Sequence, residues 1–323
     1  MTHWLDRKIA PMLASSGRPF DSREYLFEIK WDGIRALAFF GHQKVRLQGR
    51  KLSNSTKRYP EIVDSLHQIP GEAVLDGEIV VLDDGKPSFE KALERELVGS
   101  PDKIDFRARQ IPAIYMAFDL LYLNGEELLE QPLTARRRHL SKLLEGRQTG
   151  SVLESTFILE HGKAYYQEAV DRGLEGIVAK VLESPYQPGK RTQHWVKIKA
   201  ERHVNCVVLG TVVAPGTGRV KSLVLGAYRG DTLVWLGNVG SGLDAKTLHG
   251  LANELGPLAG EPPADLVVAA PGETHWLKPA LVARVKYLEM TREGRFRAPV
   301  FVGFVDSPPK SCTVPDEPQY PGS

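Results

Sequence analysis

Residues 24–36 read EYLFEIKWDGIRA, and the reading of the whole chain turns on them. Side chains alternate along a strand, so Glu28 and Lys30 share one face while Phe27 and Ile29 share the other. Asp32-Gly33 is a turn signal. With a second strand over 36–48 it predicts a β-hairpin whose tight turn presents Lys30 into a pocket. An amine at its ordinary pKa of about 10.4 is a poor nucleophile. Nearby positive charge or loss of water frees its lone pair. Lys-x-Asp-Gly by itself is short, and a lysine on a surface hairpin is the competing reading.

Working outward, 73–82 is a β-branched run that ends at an Asp84-Gly85 turn, and 89–97 is short, charged and helical in character. Residues 113–123 (AIYMAFDLLYL) predict a strongly apolar strand ending at Asn124-Gly125. A helix is expected over 134–145, capped by Thr134, and another over 161–172, ending at Gly173. Strands follow at 175–180 (EGIVAK) and 194–200 (HWVKIKA).

After Ala200 the pattern changes to short apolar strands punctuated by Gly and Pro, at 205–213, 223–229 and 232–239. A helix with Asp244 as its cap is expected over 244–255, then strands at 265–270 and 281–288. Five short strands with one helix between the third and fourth suit a small Greek-key barrel of the OB type. The fold class is therefore α+β. A large domain of antiparallel sheets and helices at 1–200 precedes a small β-barrel at 201–306, and 307–323 reads as a flexible tail rich in Pro and Ser.

Composition narrows the class. At 42% hydrophobic and 25% charged residues over 323 positions, a soluble globular chain of two domains is expected rather than a disordered one. Two cysteines, Cys206 and Cys312, have no metal-type spacing and are too few for a disulfide scaffold. No apolar run is long enough to span a bilayer, and the N-terminus MTHWLDRKIAPML lacks a secretory h-region, so a cytoplasmic protein without membrane contact is expected. Net charge is only +2, but its distribution is uneven. Residues 44–58 hold six basic residues (Lys44, Arg46, Arg50, Lys51, Lys57, Arg58) and no acidic one. Arg136, Arg137, Arg138 and Lys142 form a second cluster, and Lys190, Arg191, Lys197, Lys199 and Arg202 a third. Such clusters either neutralise phosphates or make solvated faces.

Taken together, Lys30-Trp-Asp32-Gly33-Ile-Arg35, Arg50, Leu-Asp76-Gly-Glu78-Ile-Val, Phe118-Asp119, Glu175-Gly-Ile-Val and Lys197-Ile-Lys199 form an ordered set. The set resembles the covalent nucleotidyltransferases: DNA ligases, RNA ligases and mRNA capping enzymes. The longer strings PMLA, EIKWDGIRALA, LDGEIVVLD, FDLLYLNG, EGIVAK and Tyr186-x-Pro-Gly-Lys-Arg-Thr-x-x-Trp-Val-Lys-Ile-Lys199 look like bacterial ATP-dependent DNA ligases. They are most similar to the ligase module of DNA ligase D and to the stand-alone DNA ligase C, and the resemblance spans nearly the whole chain. It implies a nucleotidyltransferase (adenylation) domain followed by an OB-fold domain. It also implies that Lys30 attacks the α-phosphate of ATP, that AMP then moves to the 5′-phosphate of a nick, and that the 3′-hydroxyl expels AMP. By the same resemblance Glu28 and Phe118 contact adenine, Glu78 faces the ribose, Arg35 and Arg50 contact ribose or phosphate, and Arg191, Lys180, Lys197 and Lys199 contact phosphates. Asp32 and Glu175 hold Mg²⁺ or Mn²⁺. Nicked or broken duplex DNA is the implied partner of a monomeric repair enzyme. With no separate DNA-binding domain before Glu24, its grip on DNA is expected to be salt-sensitive and other proteins to bridge ends.

The chain departs from the family pattern in two places. The family closes its barrel domain with an Arg-x-Asp-Lys element that swings over the ATP pyrophosphate. The matching stretch here, 301–309, places Val305 and Pro308 where the basic pair is expected, leaving Lys310, Arg295 and Arg297 as substitutes. That departure implies weakened self-adenylation. Gln48-Gly49-Arg50-Lys51 also replaces the usual Ser-Arg-Asn-Gly-like turn. Two other functions fit the same residues: an RNA ligase or capping-type nucleotidyltransferase, and an inactive nucleic-acid-binding module.

Overall fold

The Asp32-Gly33 segment carries the chain from one sheet to another. The strand before it, β2 (Ser22–Ile29), pairs with β10 (Phe157–Glu160) and β11 (Gly176–Val181). The strand after it, β3 (Ile34–Gly41), pairs with β4 (Lys44–Gly49) and β5 (Ala73–Asp83). The expected hairpin across Asp32-Gly33 is thus corrected, because β2 and β3 lie in different sheets. The backbone shows why. Lys30 N donates to Gly176 O at 2.9 Å, a partner 146 positions on rather than one across a turn. Gly33 is pressed against β5, where a Cβ would collide with Ile79 O. Its lack of a side chain serves close approach rather than turning. The hairpin falls one strand later: 36–48 divides into β3 and β4 around His42 and Gln43, at φ 48° and 60°, the positive values a two-residue hairpin loop needs.

The computed structural model describes residues 4–146, 150–214, 219–244, 256–262, 266, 274–287, 289–291 and 293–315. The chain divides into two compact units, Met1–Ala200 and Glu201–Ser323. In the first unit, one sheet has the order β1-β12-β11-β2-β10, with β1 (Leu13–Ser16) parallel to β12 (Arg191–Lys199). The other runs β4-β3-β5-β7-β8, where β7 is Ala113–Leu123 and β8 is Glu126–Glu127. The short β6 (Lys86–Pro87) and β9 (Val152–Glu154) pair with β5 and β7.

Helices cover the outer faces for local reasons. α1 (Pro60–His67) opens on a proline, whose missing N–H and fixed φ suit a first turn, and buries Ile62 and Leu66 beneath the second sheet. α2 (Phe89–Glu96) is capped by Ser88, which accepts from Lys91 N at 3.4 Å. α3 (Pro101–Gln110) follows. α5 (Gly162–Asp171) packs Ala169 against Phe27, Ile177, Ala179, Val196 and Ile198 of the first sheet. α4 (Leu133–Leu144) starts after Pro132 without a side-chain cap, so Thr134 is not the N-cap expected from sequence; its hydroxyl reaches Glu183 at 3.3 Å.

The second basic cluster is also corrected. Leu133, Arg136, Arg137, Leu140 and Leu144 form the buried stripe of α4, so two of the arginines face the core rather than phosphate. Arg136 grips Asp119 with both Nε and Nη2, at 2.8 and 2.9 Å, and both side chains are wholly buried. Arg137 donates to Phe118 O at 2.8 Å and to Ser155 O. Asp119 sits in an apolar strand and Arg136 in a basic run, so neither segment alone reveals that they meet.

The second unit is a sheet of order β15-β14-β13-β17-β20, comprising β13 (Arg202–Val213), β14 (Val220–Arg229), β15 (Thr232–Val239), β17 (Val282–Tyr287) and β20 (Val300–Phe304). The ends approach through the parallel bridge Ser241↔Val300, and β16 (Thr274–Trp276) joins β13. A small ribbon pairs β18 (Glu289–Met290) with β19 (Phe296–Arg297). This is the small barrel expected from sequence, filled by residues such as Val208, Leu225, Leu236, Val285 and Phe301. The expected helix at 244–255 and strand at 265–270 lie almost wholly outside the described residues. The supposed tail is ordered through 307–315: Pro309–Ser311 form a 3-10 turn and Cys312 is buried.

Removing one member of a buried ion pair strands the other charge. Asp119→Ala is expected to lower unfolding stability by ~3–5 kcal/mol, read from urea denaturation. A loss below ~1 kcal/mol would show that Arg136 is solvated after the change.

Candidate active site

Period-two alternation turns one face of the first sheet toward a cavity. Glu28 of β2, Val178 of β11 and Lys197 of β12 lie in one row across three strands, with Lys180 and Trp195 paired in the row beside it. The opposite parity is the apolar layer under α5. From the second sheet, Arg35 of β3 stands across from Glu78 of β5, and β7 contributes Phe118. The segment Pro11–Ala14 forms the remaining wall. The enclosed volume is about 220 Å³, and every lining residue belongs to the first unit.

Of the residues selected from sequence, Glu28, Lys30, Arg35, Arg50, Glu78, Phe118, Lys180, Arg191 and Lys197 line this cavity. Lys199, Glu175 and Asp32 do not. Glu175 holds the margin together: one carboxylate oxygen meets Lys30 Nζ and the other meets Lys199 Nζ at 2.8 Å. Lys30 keeps 21% of its side chain exposed, enough to be reached from the cavity. Asp32 is half-buried in the crossing segment.

The two ends of the cavity differ in character. At one end Glu28 is buried in an ion pair with Lys180, whose ammonium sits 4.1 Å over the Phe118 ring and 4.2 Å over the Trp195 ring. Burial lowers the pKa of Lys180, and Glu28 opposes that shift. Glu28 Oε2 is buried without a hydrogen-bond partner, with Arg137 3.7 Å away. Phe118 is 6% exposed and belongs to the core around Trp195 as much as to the cavity wall. At the other end cations crowd. Burial lowers the pKa of Lys197, and the charges of Lys199, Arg191, Lys30 and Arg50 lower it further. Such a group binds an anion strongly, because one polyanion relieves several repulsions at once.

Sequence reasoning missed the supports. Arg35 is clamped by Asp76 through two bonds of 2.6 Å and lies over Phe118 at 4.6 Å. Asp76 also accepts from the Tyr186 hydroxyl at 2.6 Å, and that oxygen accepts from Met12 N at 2.9 Å. Alternation was the available signal: Asp76 shares a strand face with Glu78, and Trp195 with Lys197. Tyr186 had none.

A divalent cation on a nucleotide takes one or two carboxylates, with phosphate oxygens and waters completing its shell. Among the described residues, no group of three or more His, Cys, Asp or Glu side chains could hold a metal alone. Glu175 at the cavity margin, whose charge is felt by Glu78, fits the sparser arrangement.

Comparison with known proteins agrees with this architecture. Residues 11–199 match the ATP dependent DNA ligase domain, and 216–306 match the ATP dependent DNA ligase C terminal region. The chain is 33% identical over 322 residues to the multifunctional non-homologous end joining protein LigD of Pseudomonas aeruginosa. That match covers 97% of this chain and 37% of that protein, so the chain spans little more than a third of such relatives. It is 32% identical to DNA ligase C1 of Mycolicibacterium smegmatis, covering 94% of this chain and 92% of the other. The solved structure of a mycobacterial DNA ligase D complexed with ATP is 33% identical, covers 97% of this chain and 100% of the other, and superposes with a TM-score of 0.54. The chain belongs to the ATP-dependent DNA ligase family. Among the described residues no helix is long and apolar enough to cross a membrane.

Glu78 gives the site a pH signature. Burial pushes its carboxyl up from 4.5 to about 8; Asp76 and Glu175 add to the shift, while Arg35 and Lys30 oppose it. Between those two values the folded carboxyl keeps a proton that the unfolded one has lost. Its contribution to stability is therefore full below about 4.5 and is lost as pH rises through about 8. The urea midpoint of the free protein is expected to fall more steeply over this window than that of Glu78→Gln. Parallel profiles would contradict the assignment.

Proposed function

We propose that the chain seals nicks in duplex DNA by carrying AMP on Lys30. The observation that carries this reading is the position of Lys30: its partly exposed amine lies beside Glu175 at the cationic end of a cavity lined by Arg50, Arg191 and Lys197. In the first step Lys30 Nζ attacks the α-phosphate of ATP and pyrophosphate leaves. The adenylate then passes to the 5′-phosphate of a nick, and the adjoining 3′-hydroxyl displaces AMP. Phosphoryl transfer depends mainly on alignment and charge neutralisation, which fixed cations supply.

Each end of the cavity has a role in this reading. Arg50, Arg191 and Lys197 take the phosphates, and Lys199 and Glu175 hold Lys30 in line. Glu28 Oε2, an unmatched buried acceptor, suits the exocyclic amino group of adenine. Phe118 and Trp195 wall the base, and Glu78, protonated near neutral pH, donates to the ribose. Arg35, clamped by Asp76, orients the sugar or the α-phosphate. Glu175, with Asp32, would hold Mg²⁺ or Mn²⁺, which supplies further neutralisation of the phosphates. The relatives named for non-homologous end joining support a place in DNA repair, acting on nicked or broken duplex as a monomer alongside proteins that bridge ends.

The test is covalent labelling. Purified protein stripped of AMP with pyrophosphate is incubated with α-³²P-ATP and Mg²⁺ or Mn²⁺, then denatured. Wild type is expected to retain label that pyrophosphate removes, and Lys30→Ala to retain none. Label on Lys30→Ala, or transfer from GTP in preference to ATP, would sink this reading.

A further inference from the structure

Residues 7–12 lead into the cavity wall without joining a strand. Side chains of β4 hold them instead. Arg46 donates to Leu5 O at 2.8 Å and to Arg7 O at 2.7 Å, and rests 3.7 Å over the Phe39 ring. Gln48, two residues on along the same face and 1% exposed, meets Ile9 with both ends of its amide. Its Nε2 donates to Ile9 O at 2.6 Å, and its Oε1 accepts from Ile9 N at 3.3 Å. Among the described residues Ile9 has no backbone partner, so one side chain satisfies both of its main-chain groups, as a neighbouring strand would. A carboxamide carries a donor and an acceptor without charge, which suits a buried position. Gln48 stands in the stretch 48–51 where the chain departs from the usual turn of the family, so the shared motif does not account for it.

Ile9 is the tie just before the cavity. Beyond it, Ala10 O accepts from Gly189 N at 2.8 Å, and Leu13 N donates to Lys190 O at 2.9 Å. Met12 N donates to the Tyr186 hydroxyl at 2.9 Å, and Met12 O accepts from Arg35 Nη2 at 3.4 Å. The wall Pro11–Ala14 is thus held by Gln48 on one side and by residues 186–190 on the other. Gln48 does not line the cavity itself. Without its amide, two buried main-chain groups of Ile9 lose their partners, and the segment must shift toward water to recover them.

We propose that Gln48 is a positioning residue for the nucleotide site: through Ile9 it sets the place of the Pro11–Ala14 wall, and so how closely the cavity holds ATP. This rests on the reading of the cavity as the ATP site. The wall holds the nucleotide alike before and during the transfer. Its loosening therefore raises the ATP concentration for half-maximal rate and leaves the rate at saturation in place.

Single-turnover adenylation of the full chain, stripped of AMP and followed over a range of ATP concentrations, tests this. Gln48→Leu keeps the bulk of the side chain and removes both bonds. Gln48→Glu keeps an acceptor for Ile9 N and loses the donor to Ile9 O. Gln48→Leu is expected to raise the half-saturating ATP concentration about fivefold or more, with a saturating rate within about twofold of wild type. Gln48→Glu is expected to move it in the same direction. Ile62→Val, which loosens the core under α1, is expected to lower stability without moving half-saturation. Hydrogen exchange at the Ile9 amide is expected to be faster in Gln48→Leu than in wild type. A purely structural role would lower the fraction of protein labelled and leave half-saturation where it is. That result, in either Gln48 variant that folds, would overturn the proposal, as would a fall in saturating rate alone. Failure of both variants to fold would overturn it too, because Gln48 would then be a requirement of the core. Wild type that takes no label, though bare by intact mass, would remove the ATP-site reading itself; labelled wild type with unshifted variants would remove this inference alone.

Discussion

The close approach of Gly33 to β5 is the constraint on which the site depends. Because Gly33 has no side chain, the chain leaves β2 at Lys30 and enters the neighbouring sheet within four residues. The lysine therefore stands where the two sheets part, with a wall on either side. Its backbone is fixed by Gly176 O and its amine by Glu175, the residue just before that glycine. One short segment, 175–176, thus holds both ends of Lys30.

Beneath the cavity lies a set of buried charges whose partners come from distant segments. Asp76 joins Arg35 to Tyr186, Asp119 joins β7 to α4, and Arg137 reaches Glu28, Glu154 and two carbonyls. Buried ion pairs add little net stability compared with apolar packing, since desolvation offsets most of their attraction. What they supply is geometry: a bidentate guanidinium accepts few arrangements of its partner. That is a fitting use at a site where alignment does most of the chemistry.

The cavity end beside Lys30 gathers like charges. Glu175 neutralises Lys30 and Lys199, while Arg50, Arg191 and Lys197 crowd one another. Any polyanion bound there relaxes that repulsion, so its binding energy is concentrated at this end rather than spread along the cavity.

Much of this was legible in the chain. Alternation along 27–30 assigned faces correctly, because a strand's period is a local property. Turn residues marked the ends of β5 and β7 for the same reason. The motif set brought nine of the selected side chains to one cavity. Where the sequence misled, the deciding contact was remote. Asp32-Gly33 looks like a hairpin until Ile79 and Gly176 are present to separate its strands. Arg136 and Arg137 look like a phosphate patch until Asp119 and Glu28 face them. The residues after Ser307 look like a loose tail until β14 offers Tyr228 an unpaired backbone edge. The sequence by itself determined many of the strands, their buried faces and the residue types gathered around Lys30, all of which follow from short-range periodicity and local composition. Which strands share a sheet, which cations are buried and where residues 312–314 pair were decided by tertiary contacts across tens to more than a hundred residues, which no local pattern encodes.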